Sequence, residues 1–247
     1  MPANERMNDA AFHRRSTPRV AVCVPCGDTW KAPMAFQALC LGIQSAPHAQ
    51  VTPLMIVGDD TAQARNALVR SALAEDADYI LWIDADMIFP PDALLRLLKH
   101  NRDIIGADYR RRVPPFGKIG LSIHPDDPKG LPMFKGEKGA AQKTGLVERA
   151  IIGLGFMLVR AEVYRALPPP WFARIHRPEQ ATPDNPDGFS TEDSYFCMVA
   201  RMNDYRIWCD LDLTAQVLHV GEAVVPWQLP ETVPNDLPDN PPVAVSA

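Results

Sequence analysis

The sequence predicts a single α/β domain in which a mostly parallel central sheet carries helices on both faces. Between residues 19 and 107, short apolar runs rich in β-branched residues alternate with segments of helical periodicity. This alternation is typical of doubly wound folds, whose parallel strands are joined by crossover helices. The chain has 247 residues, of which 47% are apolar, and this is enough for one large domain with an ordinary core.

Four strands and three helices account for the first part of the chain. The strands are predicted at residues 19–24, 51–57, 79–83 and 102–107. The helices are predicted at residues 33–45, from a cap at Asp60 or Thr61 to about residue 75, and after Pro90-Pro91, a position that tolerates proline. Each of the first three strands is therefore followed by a helix, as a parallel sheet requires.

The second half of the chain is less regular, and residues 109–143 are rich in Pro, Gly and Lys. The elements predicted after them are an apolar segment at 151–159, a helix at about 161–167, a Pro-rich loop to 188, a helix from about 191 and short strands near 207 and 217. The predicted organisation is a loose arm at residues 1–17, one domain at 18–225 and an extended Pro-rich tail at 226–247.

Charge and composition argue against several classes of protein. The formal net charge of −5 gives no general attraction to nucleic acid or to an anionic membrane. No run of 18 apolar residues occurs and the polar N-terminus lacks a secretory signal, so we expect a cytoplasmic protein without a membrane span. The five cysteines are odd in number and scattered, which argues against a disulfide framework. Cys23 and Cys26 are expected to be small buried side chains at a strand end.

Two aspartates, Asp84 and Asp86, directly follow the third predicted strand in the segment Y-I-L-W-I-D-A-D-M. In open α/β sheets, ligands bind outside the carboxyl ends of the strands. Residues two apart in an extended segment point the same way, so both carboxylates could meet one hard cation. The plainer interpretation is that Asp84 caps a turn and Asp86 is solvated. The functional interpretation predicts a site for Mg²⁺ or Mn²⁺ together with phosphate oxygens.

Several separated segments together resemble one family of enzymes. In chain order they are V-A-V-C-V-P, A-Q-A-R-N-A-L-V, D-Y-I-L-W-I-D-A-D-M-I-F-P-P-D-A-L, G-A-D-Y-R-R-R, I-I-G-L-G-F-M-L-V-R, F-S-T-E-D-S-Y-F-C and L-H-V-G. Over residues 19–221 the chain resembles glycosyltransferases of the GT-A fold, and is similar to glycosyltransferase family 2 and its short stand-alone relatives in phages and bacteria. The resemblance implies metal-dependent transfer of a sugar from a nucleotide-diphosphate sugar to an acceptor hydroxyl.

The resemblance also implies a role for particular residues. A metal, Mn²⁺ or Mg²⁺, would be held by Asp84, Asp86 and His219. Asp193 would be the base that takes the acceptor proton in an inverting transfer, with Glu192 positioning the acceptor or the helix. The nucleotide-sugar would be bound by Pro25, Asp28, Arg65, Asn66, Asp84, Ala85, Arg110, Arg112, Gly153 and Gly155.

Alternative functions remain open on the sequence alone. A sugar-phosphate nucleotidyltransferase shares the α/β core and the use of metal, but the loop P-C-G-D-T-W-K-A-P lacks the glycine-rich pattern that it would need. A non-catalytic module that binds nucleotides or glycans could keep the same core. Haloacid-dehalogenase-like phosphatases also use D-x-D, but on the first strand of their domain. The acceptor could be a glycan or, through basic residues 109–143, modified phage DNA, and the oligomeric state is open.

Overall fold

The computed structural model describes residues 17–26, 43, 48–58, 60–111, 119–120, 144–178, 181, 186–220 and 224–225. Two predicted donor-binding residues, Asp28 and Arg112, lie outside the described residues. So do the predicted tail, almost all of the predicted arm and of the helix at 33–45, and most of the basic stretch that follows Arg111.

Ten strands and five helices are found in the described part of the chain. The strands are β1 (Arg19–Cys26), β2 (Gln50–Val57), β3 (Tyr79–Ile83), β4 (Met87–Ile88), β5 (Ile104–Gly106), β6 (Leu146–Arg149), β7 (Phe156–Arg160), β8 (Ile207–Asp210), β9 (Leu218–Val220) and β10 (Val224–Val225). The helices are α1 (Thr61–Ala74), α2 (Ala93–Lys99), α3 (Ala161–Ala166), α4 (Glu192–Met202) and α5 (Leu211–Thr214).

Seven of the strands form one central sheet in the order β2-β1-β3-β7-β5-β8-β6. Strands β1, β2, β3, β5 and β8 point the same way, whereas β7 and β6 run antiparallel to their neighbours. The sheet is therefore mixed but mostly parallel. It confirms the predicted single α/β domain and is consistent with a fold of the GT-A type.

Helices cover both faces of this sheet because buried side chains alternate along its strands. On β3, Ile80 and Trp82 face one core, together with residues of α1, α3 and α4. Leu81 and Ile83 face the other core, together with residues of α2 and β4. Burying one such aliphatic side chain contributes about 1.5–3 kcal/mol, so β3, buried along its whole length, anchors the fold.

The cysteines take part in these two cores. Cys23 and Cys26 belong to different cores on opposite faces of the sheet, and both are free thiols. Cys197 and Cys209 are also buried and free, while Cys40 lies outside the described residues. The expectation that Cys23 and Cys26 are buried is confirmed, but only Cys26 lies at the strand end, because Cys23 is inside β1.

A second, three-stranded antiparallel sheet in the order β10-β9-β4 lies at the carboxyl end of β3. It pairs Met87 with His219, although the two residues are far apart along the chain. The predicted strand near residue 217 is therefore confirmed as β9, and β4 is a strand that the sequence does not reveal. In the described segments, no helix is long and apolar enough to span a membrane.

Candidate functional site

The carboxylate turn, residues 84–86, connects β3 to β4 at the carboxyl end of the sheet. The amide of Asp84 donates to the carbonyl of Gly155 at 3.1 Å, and the amide of Met87 donates to the carbonyl of Asp84 at 3.2 Å. The segment therefore turns and does not continue as an extended strand. The argument that residues two apart point the same way does not hold here, and the carboxylates of Asp84 and Asp86 meet different partners.

Arg65 of α1 joins Asp84 to the first turn of α4. Its Nη2 donates to Asp84 Oδ1 at 2.8 Å, and its Nε donates to Glu192 Oε1 at 3.3 Å. The side chain is only 3% exposed, and its guanidinium lies 5.3 Å from the centre of the Trp82 ring. The buried Nη1 has no hydrogen-bond partner in the described structure. The guanidinium of Arg65 thus binds two carboxylates, and its Nη1 group remains available to donate to a ligand.

The pKa values of Arg65 and Asp84 are both raised, for different reasons. Burial lowers the pKa of Arg65, but the charges of Asp84 and Glu192 outweigh it, so the guanidinium stays charged. Burial raises the pKa of Asp84, and the charge of Asp86 raises it further, although Arg65 opposes both effects. A cationic ligand beside Asp84 and Asp86 would relieve this repulsion.

Asp86 meets His219 across the small sheet. Asp86 Oδ2 lies 3.2 Å from His219 Nε2, and the carbonyl of Asp86 accepts the amide of Val220 at 2.8 Å. His219 Nδ1 lies 2.8 Å from the carbonyl oxygen of Arg110. Because a carbonyl only accepts, Nδ1 carries a proton, and Nε2 donates to the carboxylate of Asp86 when the imidazole is doubly protonated.

The pKa of His219 reflects these contacts. Burial lowers it, but the hydrogen bonds with Asp86 and with the carbonyl of Arg110 raise it, as do the charges of Asp86 and Asp84, and the net shift is upward. A histidine with its second nitrogen bonded to a carbonyl is the usual arrangement of a metal ligand.

The donor set suits a divalent metal that is held partly by its substrate. Mg²⁺ is commonly bound by one or two carboxylates together with phosphate oxygens, and Mn²⁺ also accepts imidazole. Asp86 and His219 fit this description, and Asp84 is next to them but bonded to Arg65. Among the described residues, no three His, Cys, Asp or Glu side chains converge closely enough to hold a metal by themselves. The described residues therefore offer two side chains, Asp86 and His219, that could hold a divalent ion together with ligands from elsewhere.

Glu192 and Asp193 form the first turn of α4, where the helix dipole favours acids. Asp193 Oδ1 accepts from the hydroxyl of Thr191 and from the amide of Ser194. Burial raises the pKa of Asp193, and the charge of Glu192 raises it further. A carboxylate with a raised pKa is better matched to accept a proton near neutral pH.

The glycine segment, residues 153–155, lies directly beside the carboxylate turn. A Cβ placed on Gly153 or on Gly155 would lie 2.4 Å from the hydroxyl oxygen of Tyr109. The amide of Gly155 donates to this oxygen at 2.8 Å. The close approach that the two glycines were predicted to allow is therefore made by a tyrosine of the chain itself.

Tyr109 is a residue of the site that sequence reasoning did not single out. It is buried, its ring lies edge-on to that of His219 with centroids 5.3 Å apart, and it follows the end of β5. Burial raises its pKa well above the usual value, and the charges of Asp84 and Asp193 raise it further, so the phenol is neutral. The only sequence signal was an aromatic residue at a strand end in the segment G-A-D-Y.

Asn66 is turned away from the carboxylates. Its Nδ2 donates to the carbonyls of Ala62 at 2.8 Å and Phe172 at 2.7 Å, and its Oδ1 accepts the amide of Trp171 at 2.9 Å. These bonds use its amide group to fix the 171–172 segment against α1. Its contact with a nucleotide stays a prediction, and the amide group would have to give up one of these bonds to make it.

The remaining predicted donor residues lie at the edge of the site. Pro25 is half-buried near the end of β1 and Ala85 is half-buried within the carboxylate turn. Arg110 is half-buried and holds His219 through its carbonyl. Cys26, which ends β1, is close enough to Asp84 and Asp86 that their charges, added to burial, raise the pKa of its thiol.

Two comparisons with known proteins bear on this region. The family model Anp1, of a mannosyltransferase-related family, matches residues 59–118, which is less than half of the chain. The crystal structure of A197 from STIV is similar at 12% sequence identity, over 85% of this chain and 94% of that chain, with a TM-score of 0.49. The matched segment of Anp1 contains Arg65, Asp84 and Asp86. The part of the chain that builds the carboxylate turn is therefore similar to this family.

Proposed function

We propose that this protein is a metal-dependent glycosyltransferase that moves a sugar from a nucleotide-diphosphate sugar to an acceptor hydroxyl. One observation carries the proposal. Arg65 bonds Asp84 and Glu192 at once, while β4 and β9 bring His219 to Asp86. Three carboxylates from two distant parts of the chain thus contact one cation and one imidazole at the carboxyl end of β3, where α/β sheets bind ligands.

The donor would be held at the carboxylate turn. Mg²⁺ or Mn²⁺, bound by Asp86 and His219 with Asp84 at their side, would neutralise the diphosphate and stabilise the departing nucleoside diphosphate. The Nη1 nitrogen of Arg65 has no hydrogen-bond partner in the described structure, and its two N–H groups are suited to phosphate oxygens.

The acceptor would be activated at the first turn of α4. Asp193 takes the proton of the acceptor hydroxyl as its oxygen forms a bond to the anomeric carbon. The bond from that carbon to the diphosphate oxygen breaks, and the electron pair leaves with the nucleoside diphosphate. Attack on the face opposite to the leaving group inverts the anomeric configuration. Arg65 holds Glu192 next to this base and thereby ties the acceptor side of the site to the donor side.

The proposal is tested by thermal denaturation with UDP, GDP, CMP, dTDP and ADP, each with and without Mn²⁺. GDP-mannose is added because Anp1 is mannosyltransferase-related. A ligand that binds only the folded protein stabilises it by mass action, by about 2.7 kcal/mol at one hundred times its Kd. We expect one nucleotide to raise the melting temperature only when Mn²⁺ is present.

The matched variants are Asp86→Asn and Asp92→Asn. Asp86→Asn should abolish the metal-dependent rise at a near-native melting temperature. Asp92 is an exposed carboxylate just beyond β4 whose side chain caps no helix, so its amide variant should keep the rise. Metal-dependent binding that survives in Asp86→Asn would refute the metal assignment, and the absence of binding by any nucleotide would refute the transferase.

A further inference from the structure

Two described segments, residues 174–178 and 186–190, pair as the arms of a hairpin just before α4, where the sequence predicted only a Pro-rich loop. His176 and Phe189 face each other as an antiparallel bridge. The amide of Arg177 donates to the carbonyl of Gly188 at 2.8 Å, and the amide of Ser190 donates to the carbonyl of Ile175 at 2.8 Å. The two arms of the hairpin are thus fixed to each other just before the proposed base.

One face of this hairpin is exposed and aromatic. Phe189 is 38% exposed, and it is the aromatic member of the few large apolar side chains exposed in the described structure. The ring of His176 lies 5.0 Å from that of Phe189, and the guanidinium of Arg174 lies 5.7 Å from the Phe189 centroid. Arg174 and His176 are exposed as well. The Phe189 ring is therefore in contact with an imidazole and a guanidinium, two groups that are able to donate hydrogen bonds.

The chain leads from Phe189 to Asp193 within four residues. Thr191 has extended backbone angles, φ −76° and ψ 156°, and it lies two residues beyond Phe189. The hydroxyl of Thr191 donates to the carboxylate of Asp193. We name Arg174, His176, Phe189 and Thr191 the hairpin face.

We propose that the hairpin face is the acceptor subsite and that the acceptor it takes is a neutral sugar ring. This rests on the proposed function and deepens it. The flat C–H face of a pyranose packs on an aromatic ring, and its hydroxyls find donors in Arg174 and His176. A sugar seated on Phe189 would present a hydroxyl along the face towards Asp193.

Charge favours a neutral sugar over nucleic acid, which could also stack on an aromatic ring. The hairpin face ends at Glu192 and Asp193, two acids that repel a phosphate backbone, and the whole chain carries a formal net charge of −5. The basic residues Arg174 and His176 are too few to outweigh that repulsion along a strand of phosphates.

The test is saturation-transfer NMR, which detects magnetisation passed from the full chain to a bound small molecule. It uses three pyranosides as probes and one oligonucleotide that competes with them for the hairpin face. The probes are methyl α-D-mannopyranoside, methyl α-D-glucopyranoside and methyl β-D-galactopyranoside, and the competitor is a thymidine hexanucleotide. We expect transfer from the wild type to the ring protons of at least one pyranoside. Phe189→Ala should reduce it at least fivefold, whereas Phe189→Tyr, which keeps the ring, should restore it. Met202→Ala is the matched control, because Met202 is an 80% exposed apolar side chain at the other end of α4.

Three results would overturn the subsite: no pyranoside binds the wild type, Phe189→Ala binds as the wild type does, or the hexanucleotide binds through Phe189 instead. The nucleotide panel is measured on the same samples, so the two proposals fail separately. Metal-dependent nucleotide binding without pyranoside binding leaves the transferase standing without this subsite. Pyranoside binding that depends on Phe189, without any nucleotide binding, supports the subsite and removes the transferase.

Discussion

The carboxylate turn and the glycine segment are neighbours, joined by the hydrogen bond from the Asp84 amide to the Gly155 carbonyl. Both were predicted to contact the donor. The turn presents half-buried carboxylates whose charges are compensated by Arg65 and His219. The glycine segment is instead fully buried against the ring of Tyr109. The difference teaches that paired acids at a strand end predict a cationic partner, whereas glycines predict a close approach without saying by what.

The largest expected effect comes from removing the cation that serves the turn. Arg65→Met leaves Asp84 and Glu192 partly buried without their partner, and breaking a buried pair in this way costs about 3–5 kcal/mol. Arg65→Lys keeps the charge but lacks the planar guanidinium that reaches both carboxylates. Its free energy of unfolding should therefore lie between those of the wild type and Arg65→Met. Urea denaturation measures the free energy of unfolding.

The matched control for this variant is Arg70→Met, an exposed arginine on the same helix. We expect its free energy of unfolding to stay within about 0.5 kcal/mol of the wild type. Equal losses for Arg65→Met and Arg70→Met would show that the cation at the carboxylate turn has no special role in the fold.

The next largest effect should come from the glycine segment. Gly153→Ala and Gly155→Ala each place a Cβ 2.4 Å from the Tyr109 hydroxyl, and the buried ring must shift at a cost of about 1–3 kcal/mol. Combining either variant with Tyr109→Phe, which removes the nearest atom, should recover part of the loss in a double-mutant cycle. If the glycines served a ligand instead, the alanine variants would lose nucleotide binding while their stability stayed the same.

Tyr109→Phe by itself should have a smaller effect. It removes the oxygen that accepts from the buried amide of Gly155 at 2.8 Å. The loss costs about 1–3 kcal/mol, and relaxation that gives the amide another partner would reduce this cost. The melting temperature should fall while the edge-on contact with His219 is kept, because the ring remains. An unchanged melting temperature would mean that this hydrogen bond contributes nothing to stability.

Much of the fold follows from periodicity, and its exceptions have physical reasons. Long strands such as β1 and β3 and the helix α1 are visible because many residues repeat one pattern. The antiparallel direction of β7 is set by which neighbours it joins, which a local pattern does not encode. Strand β4, with two residues, is too short for periodicity, yet its pairing with β9 places His219 next to Asp86.

The site divides in the same way. Asp84, Asp86 and Arg65 could be named from charges at element ends, and the structure brings them together with Glu192 and His219. Asn66 and the two glycines carried the same kind of signal, but their partners are the chain itself. The paired segments 174–178 and 186–190 were not predicted, because the prolines of this region suggest a loop and the pairing depends on backbone hydrogen bonds between residues far apart in sequence.

The smallest expected effect concerns the acid next to this network, Asp193. Burial and the charge of Glu192 raise its pKa, so its ionised form is disfavoured in the folded protein relative to the unfolded chain, where Asp titrates near about 3.9. The stability that its protonation contributes is fully present below that value and is lost as pH rises through the folded pKa. The free energy of unfolding of the wild type relative to Asp193→Asn should therefore increase as pH falls through this window.

Carbon NMR of the Asp193 carboxylate measures its pKa directly, and Glu192→Gln should lower this pKa because it removes the neighbouring charge that raises it. A pKa that does not fall in Glu192→Gln would show that the two acids of α4 do not interact, and the base proposed for the acceptor would lose the neighbour that tunes it.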